Sequence, residues 1–306
     1  MIEIWIPITI AAAFLQNVRS ALQKHLRGEL SVVGATFVRF SFGFPIAILY
    51  LLGLTLVLDQ PLPQPNVRFF AFMTSGGIAQ ILATALLVSL FTQRNFAVGT
   101  TYSKTETVQT AIFGIVILGD HLSTGATLGI VVSLAGVIAI SLAKNQTGLG
   151  AVLGALSSRP ALIGIASGSF FGISAVSYRA ASLSLSEPGG GPGFLMQAAF
   201  TLACVTVLQT IVMAIYMRWR EPGQIGRTLA SWRTAVWVGL SGVAASAGWF
   251  TAMTIQNAAY VRALGQIELL FTLVVAHFFF RERTTRLEMI GIVLTVAGIL
   301  WLLLST

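Results

Sequence analysis

A chain of 306 residues in which 56% are hydrophobic and only 9% charged, with a mean hydropathy of +0.85, lacks the roughly one-quarter charged residues that a soluble protein carries. Its net charge of +8 would point to nucleic acid only if the basic side chains shared one water-facing surface, and they sit instead between apolar runs. The lone Cys204 and the scattered His25, His121 and His277 argue against a disulfide framework and against a thiolate, iron-sulfur or histidine-built metal centre, so neither metal nor cofactor is expected.

In chain order the apolar runs are roughly 5–24, 32–54, 68–91, 97–118, 123–143, 161–183, 194–217, 232–255, 258–280 and 285–304. Each is long enough to cross a hydrocarbon core of about 30 Å as a helix. Alternating lumen and lipid residues, the mark of a barrel, are not seen. Punctuation falls between the runs: Pro61, Pro63 and Pro65 after the second, Gly148 to Pro160 after the fifth, and Glu187 to Gly193 after the sixth. The expectation is an all-α integral membrane protein of ten transmembrane helices. Residues 1–147 form the first half, 148–160 the connecting loop and 161–306 the second half.

The loops after odd-numbered runs carry Lys24, Arg27, Arg94, Lys144, Arg159, Arg218, Arg220, Arg227, Arg233, Arg281, Arg283 and Arg286, whereas the opposite side holds Arg68 and Arg179. By the positive-inside rule the first set is cytoplasmic and both termini are extracytoplasmic. The start, Met1-Ile2-Glu3, lacks the basic region of a secretory signal, so the first helix is expected to be retained.

Sliding the chain by 162 residues lays Gly77–Leu142 on Gly239–Leu304 without a gap. Asn95 then falls on Asn257, Ala97 on Ala259, Glu106 on Glu268, Thr110 on Thr272, Asp120 on Glu282, and Ala135-Gly136 on Ala297-Gly298. Matched Ala and Ile weigh little among apolar helices; matched Asn and membrane-depth Glu weigh more. Five helices per half is an odd number, so the second half enters the membrane from the opposite side. That is an inverted-topology repeat around a central cavity, the architecture that supports alternating access. A duplicated scaffold without transport is the structural alternative.

The stretch from Ala111-Ile112-Phe113-Gly114 through Leu118-Gly119-Asp120-His121-Leu122-Ser123, followed by Gly129 and Ala135-Gly136-Val137, has a second-half counterpart. That counterpart is Phe280-Arg281-Glu282-Arg283, then Gly291 and Ala297-Gly298-Ile299. Together they resemble the EamA-type ten-helix members of the drug/metabolite transporter (DMT) superfamily, including its amino-acid exporters. Phe37-Val38-Arg39-Phe40 is similar to the arginine-bearing second helix of such proteins. Asp120 stands where Glu is usual and Arg281 where Gly is common, both at helix boundaries. The resemblance implies solute transport and a cavity lined mainly by helices one, three, four, six, eight and nine, with five and ten peripheral or interfacial.

Ionisable side chains at bilayer depth cost at least about 2.5 kcal/mol each and so face a cavity or a partner. Here they are Arg19, Arg39, Lys104, Glu106, Arg262, Glu268 and His277. Glu106 continues along its helix face through Gln109, Thr110 and Phe113, and Glu268 through Phe271, Thr272 and Val275. On a continuous helix Lys104 points about 200° away from Glu106. The two glutamates are candidates to bind a substrate amine or carry a proton, or are structural carboxylates neutralised by Lys104, Arg262 or Arg19. Lys104 and Arg262 are candidates to hold a substrate carboxylate, or braces. Arg39, early in the second run, reads as a structural arginine or as one that snorkels to the interface, and Arg19 lies similarly close to the end of the first run; His277 reads as interfacial. Gln16, Asn17, Gln80, Tyr102, Tyr178, Trp249 and Gln266 complete the candidate binding set. Trp249 offers a cation-binding face or ordinary packing.

The leading expectation is a secondary transporter in a bacterial-type inner membrane that exports a small metabolite, an amino acid or related zwitterion, as a monomer, either coupled to protons through a glutamate or uncoupled. Efflux of a hydrophobic or quaternary cation, with a glutamate as counter-ion, is the rival. A membrane receptor or assembly protein is the alternative outside transport. No nucleotide-binding loop appears, which argues against ATP-driven transport by this chain alone; no paired-carboxylate motif, zinc helix or nucleophile with a base appears either, so the chain is not expected to be an enzyme.

Overall fold

Hydrocarbon offers no partner to a backbone N–H or C=O, so runs this apolar must close their hydrogen bonds internally as helices. The computed structural model describes residues 3–26, 28–90, 102–144, 150, 158–186, 192–271 and 285–305, and among them there is no strand. The helices are α1 (Trp5–Leu26), α2 (Val32–Ser41), α3 (Phe44–Leu56), α4 (Val67–Leu90), α5 (Glu106–Phe113), α6 (Thr124–Lys144), α7 (Arg159–Leu183), α8 (Phe194–Arg220), α9 (Gln224–Ala230), α10 (Trp232–Ile255), α11 (Ala258–Gly265) and α12 (Arg286–Leu304). A π-helical segment, Gly114–Leu118, continues α5. Among the described residues seven helical stretches are long and apolar enough to cross a membrane: Val32–Leu56, α4, Thr124–Leu142 of α6, α7, α8, α10 and α12.

The predicted second run is not one straight helix. Pro45 in the first turn of α3 has no N–H to give, and its ring excludes the carbonyl four residues earlier, so α2 ends at Ser41 and the chain bends through Phe42 and Gly43. Helix starts follow local chemistry. Ser123 Oγ accepts from Ala126 N at 3.0 Å ahead of α6. Its repeat mate Thr285 accepts from Glu288 N while Glu288 accepts from Thr285 N, a reciprocal capping box. Gly119, at φ 68, closes the π segment in the left-handed region.

The helices pack α4 on α7, α1 on α10, α6 on α12, α2 and α3 on α8, and α5 on α11. In run numbers these pairs are three with six, one with eight, five with ten, two with seven and four with nine. These pairs exchange among themselves when every run is replaced by its repeat mate, as do the contacts of α5 with α7 and of α1 with α11, whereas the contact of α7 with α10 has no counterpart of similar extent between α1 and α4. At the α6–α12 crossing a Cβ on Gly129 would lie 2.8 Å from Gly298 O, and one on Gly136 would lie 2.6 Å from Gly291 O. Only glycine lets the two backbones meet there. Because 129 meets 298 while 136 meets 291, the two helices run antiparallel. Large apolar side chains such as Leu49, Val116, Val131, Val293 and Trp301 are exposed on the outside, as a lipid-facing surface requires.

Several expected features lie outside the described residues: Arg27, Arg94, Asn95 and Ala97, the loop 187–191, and Thr272, Val275, His277, Phe280, Arg281, Glu282 and Arg283.

Candidate functional site

The fourth and ninth runs, expected as unbroken helices, are both interrupted, and at equivalent places in the repeat. Residues 102–103 are helical, 104–105 form a turn and α5 begins at Glu106; α11 ends at Gly265, 266–267 form a turn and 268–271 are helical again. The shift of 162 carries one turn onto the other. Each glutamate therefore opens a resumed helix, where unpaired N–H groups and the helix dipole favour a carboxylate. Around the second turn the bonds tighten to three-residue steps, with Ile267 N donating to Leu264 O at 3.1 Å and Leu270 N to Ile267 O at 2.9 Å.

The interruptions change the side-chain geometry. Lys104 and Glu106 line the same cavity but pair with other partners rather than with each other. Lys104 Nζ pairs with Glu268 of the other half. Arg262 Nη1 lies 3.0 Å from Glu106 Oε1, a charge contact that leaves this oxygen without an aligned hydrogen bond. Two ion pairs thus join the halves, each binding a glutamate of one half to a cation of the other. The glutamates are repeat mates but the cations are not, since Lys104 corresponds to Gln266 and Arg262 to Thr100.

Helix α1 fastens the second break. Gln16 Nε2 donates to Glu268 Oε2 at 2.8 Å, and Asn17 Nδ2 to the Glu268 carbonyl at 2.7 Å. Trp249 of α10 lies across α11, with the Arg262 guanidinium 5.0 Å from its ring centre. A Cβ on Gly265 would come within 2.5 Å of that indole, so a small residue is required there. On the opposite wall Tyr178 stacks on Phe250 at 4.4 Å and donates to Gln80 Oε1 at 3.1 Å. Gln209 Nε2 also donates to that Gln80 oxygen, at 3.0 Å.

These groups surround a cavity of about 210 Å³. Of the residues singled out from the sequence, Gln16, Asn17, Gln80, Lys104, Glu106, Tyr178, Trp249, Arg262 and Glu268 line it. Tyr102 and Gln266 do not. Tyr102 packs against Leu142 and Ala161 instead. Gln266 donates to Thr107 Oγ1 at 2.6 Å and is a strut between the two interrupted helices. Arg19 and Arg39, read from the sequence as structural or near helix ends, line the cavity instead, as do Phe171, Ser246, Phe250 and Met253. The signal for the two arginines was present in the sequence as charge at bilayer depth. For Phe171, Ser246 and Met253 there was none, since any helix face offers such side chains, whereas Phe250 is legible as the neighbour of Trp249 in the chain.

Beyond this cavity Arg179 of α7 ties three chain segments together. Its Nη1 donates to Met253 O at 2.6 Å and Gln256 O at 2.5 Å, and its Nε lies 3.9 Å from Asp120 Oδ2. Burial pushes the Asp120 carboxyl up from its ordinary value, while Arg179 and His121 pull it down. Among the described residues no group of His, Cys, Asp and Glu is arranged to hold a metal ion.

Two copies of a family model described as the EamA-like transporter family match the chain, over residues 3–142 and 159–304. A solved structure described as "Crystal structure of protein" is similar over 98% of this chain and 97% of that chain, with a TM-score of 0.69 and 17% sequence identity. Identity that low speaks for the fold alone. No curated protein matches the chain.

Proposed function

We propose a function from one premise: the chain belongs to the EamA-like transporter family, and with it to the drug/metabolite transporter superfamily. It is a multi-pass membrane protein that moves a small molecule, and its family is one of transporters, not of enzymes. On our reading it has ten membrane helices in two halves of inverted topology and works by alternating access, exporting an amino acid or related zwitterion across a bacterial-type inner membrane. The packing set that survives exchange of the halves, and the antiparallel crossing of the repeat mates α6 and α12, support the inverted repeat. Both halves of the pathway lie in one chain, which supports a functional monomer.

The observation that carries the substrate reading is the pair of ion pairs, Lys104–Glu268 and Arg262–Glu106, spanning two interrupted helices at the cavity wall. A zwitterion supplies one charge of each sign and can exchange with either pair without leaving a bare charge behind, which low dielectric would penalise heavily. Exchange of partners also gives Glu106 and Glu268 moments without a cation, when either can take up a proton. The test is counterflow of labelled amino acids, organic acids and quaternary cations into proteoliposomes. Amino-acid flux is expected, falling at least tenfold in E106Q and E268Q. Flux of none of these classes by folded protein would favour the receptor or assembly alternative.

Cation efflux is the second reading, favoured by Arg262 resting on the Trp249 face, a place that another cation can occupy. It predicts quaternary-cation flux that collapses in E106Q.

A further inference from the structure

The cavity wall carries an excess of positive charge. Arg19, Arg39, Lys104 and Arg262 line it against only Glu106 and Glu268, and those carboxylates already hold Arg262 and Lys104. Among the described residues Arg19 and Arg39 form no ion pair. Both are 5% exposed. Arg39 donates to Thr84 Oγ1 at 3.3 Å and rests over Phe40; Arg19 donates to Ser20 Oγ at 3.3 Å, and its Nε has no partner. The two stems converge on Gly242 of α10, where an added Cβ would lie 3.4 Å from Arg19 Cδ and 3.5 Å from Arg39 Cγ.

Two guanidinium groups drawn together out of water repel each other, and each carries a desolvation penalty that long hydroxyl contacts do not offset. Glu268 attracts Arg19 electrostatically, yet it is held by Lys104 and Gln16. The arrangement is completed by an anion. A planar fork of N–H donors matches carboxylate oxygens in two parallel bonds. The unsatisfied hydrogen-bonding groups of the wall agree: among the described lining residues Arg19 Nε, Arg262 Nε and Trp249 Nε1 are donors without partners, against one acceptor, Glu106 Oε1.

We infer that Arg19 and Arg39 are the seat for a carboxylate of the transported solute. The solute class is then an organic carboxylate with an apolar or aromatic remainder, which Phe171, Trp249 and Phe250 receive. This rests on the transporter reading but departs from the zwitterion reading above: the arginine seat fixes the solute's negative charge, and an ammonium group is an accessory rather than a requirement.

The experiment presents a panel of apolar and aromatic amino acids to the full chain in proteoliposomes, each in three forms: the N-acetyl acid, the parent zwitterion and the methyl ester. A quaternary cation runs alongside. Thermal stabilisation by each compound is measured on the same preparations. The expected result is flux of the N-acetyl acids and zwitterions but not the esters. R19Q and R39Q should lower that flux at least tenfold, with R19K and R39K recovering part of it. Stabilisation by the acids should vanish in R19Q. If R39Q fails to fold, R19Q and the two lysine variants, which keep the charge, carry the same comparison. Esters or quaternary cations moving as well as or better than the acids, or acid flux unchanged in R19Q, would overturn the carboxylate seat and leave the transporter standing. No flux of any compound by folded protein would overturn both.

Discussion

At the scale of single residues the site is governed by how charge is compensated. Glu106 and Arg262 are each mostly withdrawn from water, with side chains 17% and 11% exposed. Removing one member of such a pair leaves the other bare, which costs on the order of 3 kcal/mol, whereas neutralising both together costs less. E106Q should therefore lower the thermal unfolding midpoint in detergent more than the double variant E106Q/R262Q does. Equal losses in the two would mean that the pair contributes nothing to the fold. Intramembrane charge was legible in the sequence because so few such residues exist. Their partners were not, because which cation meets which carboxylate depends on helices more than 150 residues apart in the chain.

At the scale of elements, small residues decide how near two helices come. A Cβ on Gly136 would stand 2.4 Å from Thr295 N, whereas one on Gly53 in α3 would meet nothing within 4 Å. G136A should thus destabilise by about 2 kcal/mol, since backbone cannot yield as a side-chain tip can. G53A should leave stability unchanged or raise it by about 0.5 kcal/mol, because alanine gives up less freedom in a helix. Thermal midpoints of the two variants check the contrast, and a harmless G136A would mean that α6 and α12 do not pack as tightly as described. Where the elements lie was readable from apolar runs and their Pro, Gly and Ser boundaries. The breaks at 104–105 and 266–267 were not, because neither contains Pro or Gly. The helix there yields to tertiary contacts, including Asn17 on the Glu268 carbonyl and Gln266 on Thr107.

At the scale of the whole molecule the distribution of basic residues makes a statement about sidedness. With Cys204 replaced by alanine, Q60C in the loop before α4 should react with a membrane-impermeant thiol reagent from outside the cell. R227C in α9 should react only after the membrane is opened. Both positions are exposed, so burial would not mask the outcome, and the reverse pattern would invert the proposed orientation. The same scale shows why the two halves form one unit. Neither half has both members of either cavity ion pair, and the glycine pairs of α6 and α12 bury backbone only against each other.

Composition and hydropathy by themselves determined a helical membrane protein, because hydrocarbon admits no unpaired backbone. The spacing of matched residues made the duplication legible, because a shift of 162 is a linear property of the chain. Tertiary structure alone decided that Tyr102 and Gln266 stay outside the cavity while Arg19 and Arg39 enter it. The physical reason is rotational: a side chain's direction is fixed by its place on its helix, but which direction faces the cavity depends on how that helix is turned against its packed neighbours.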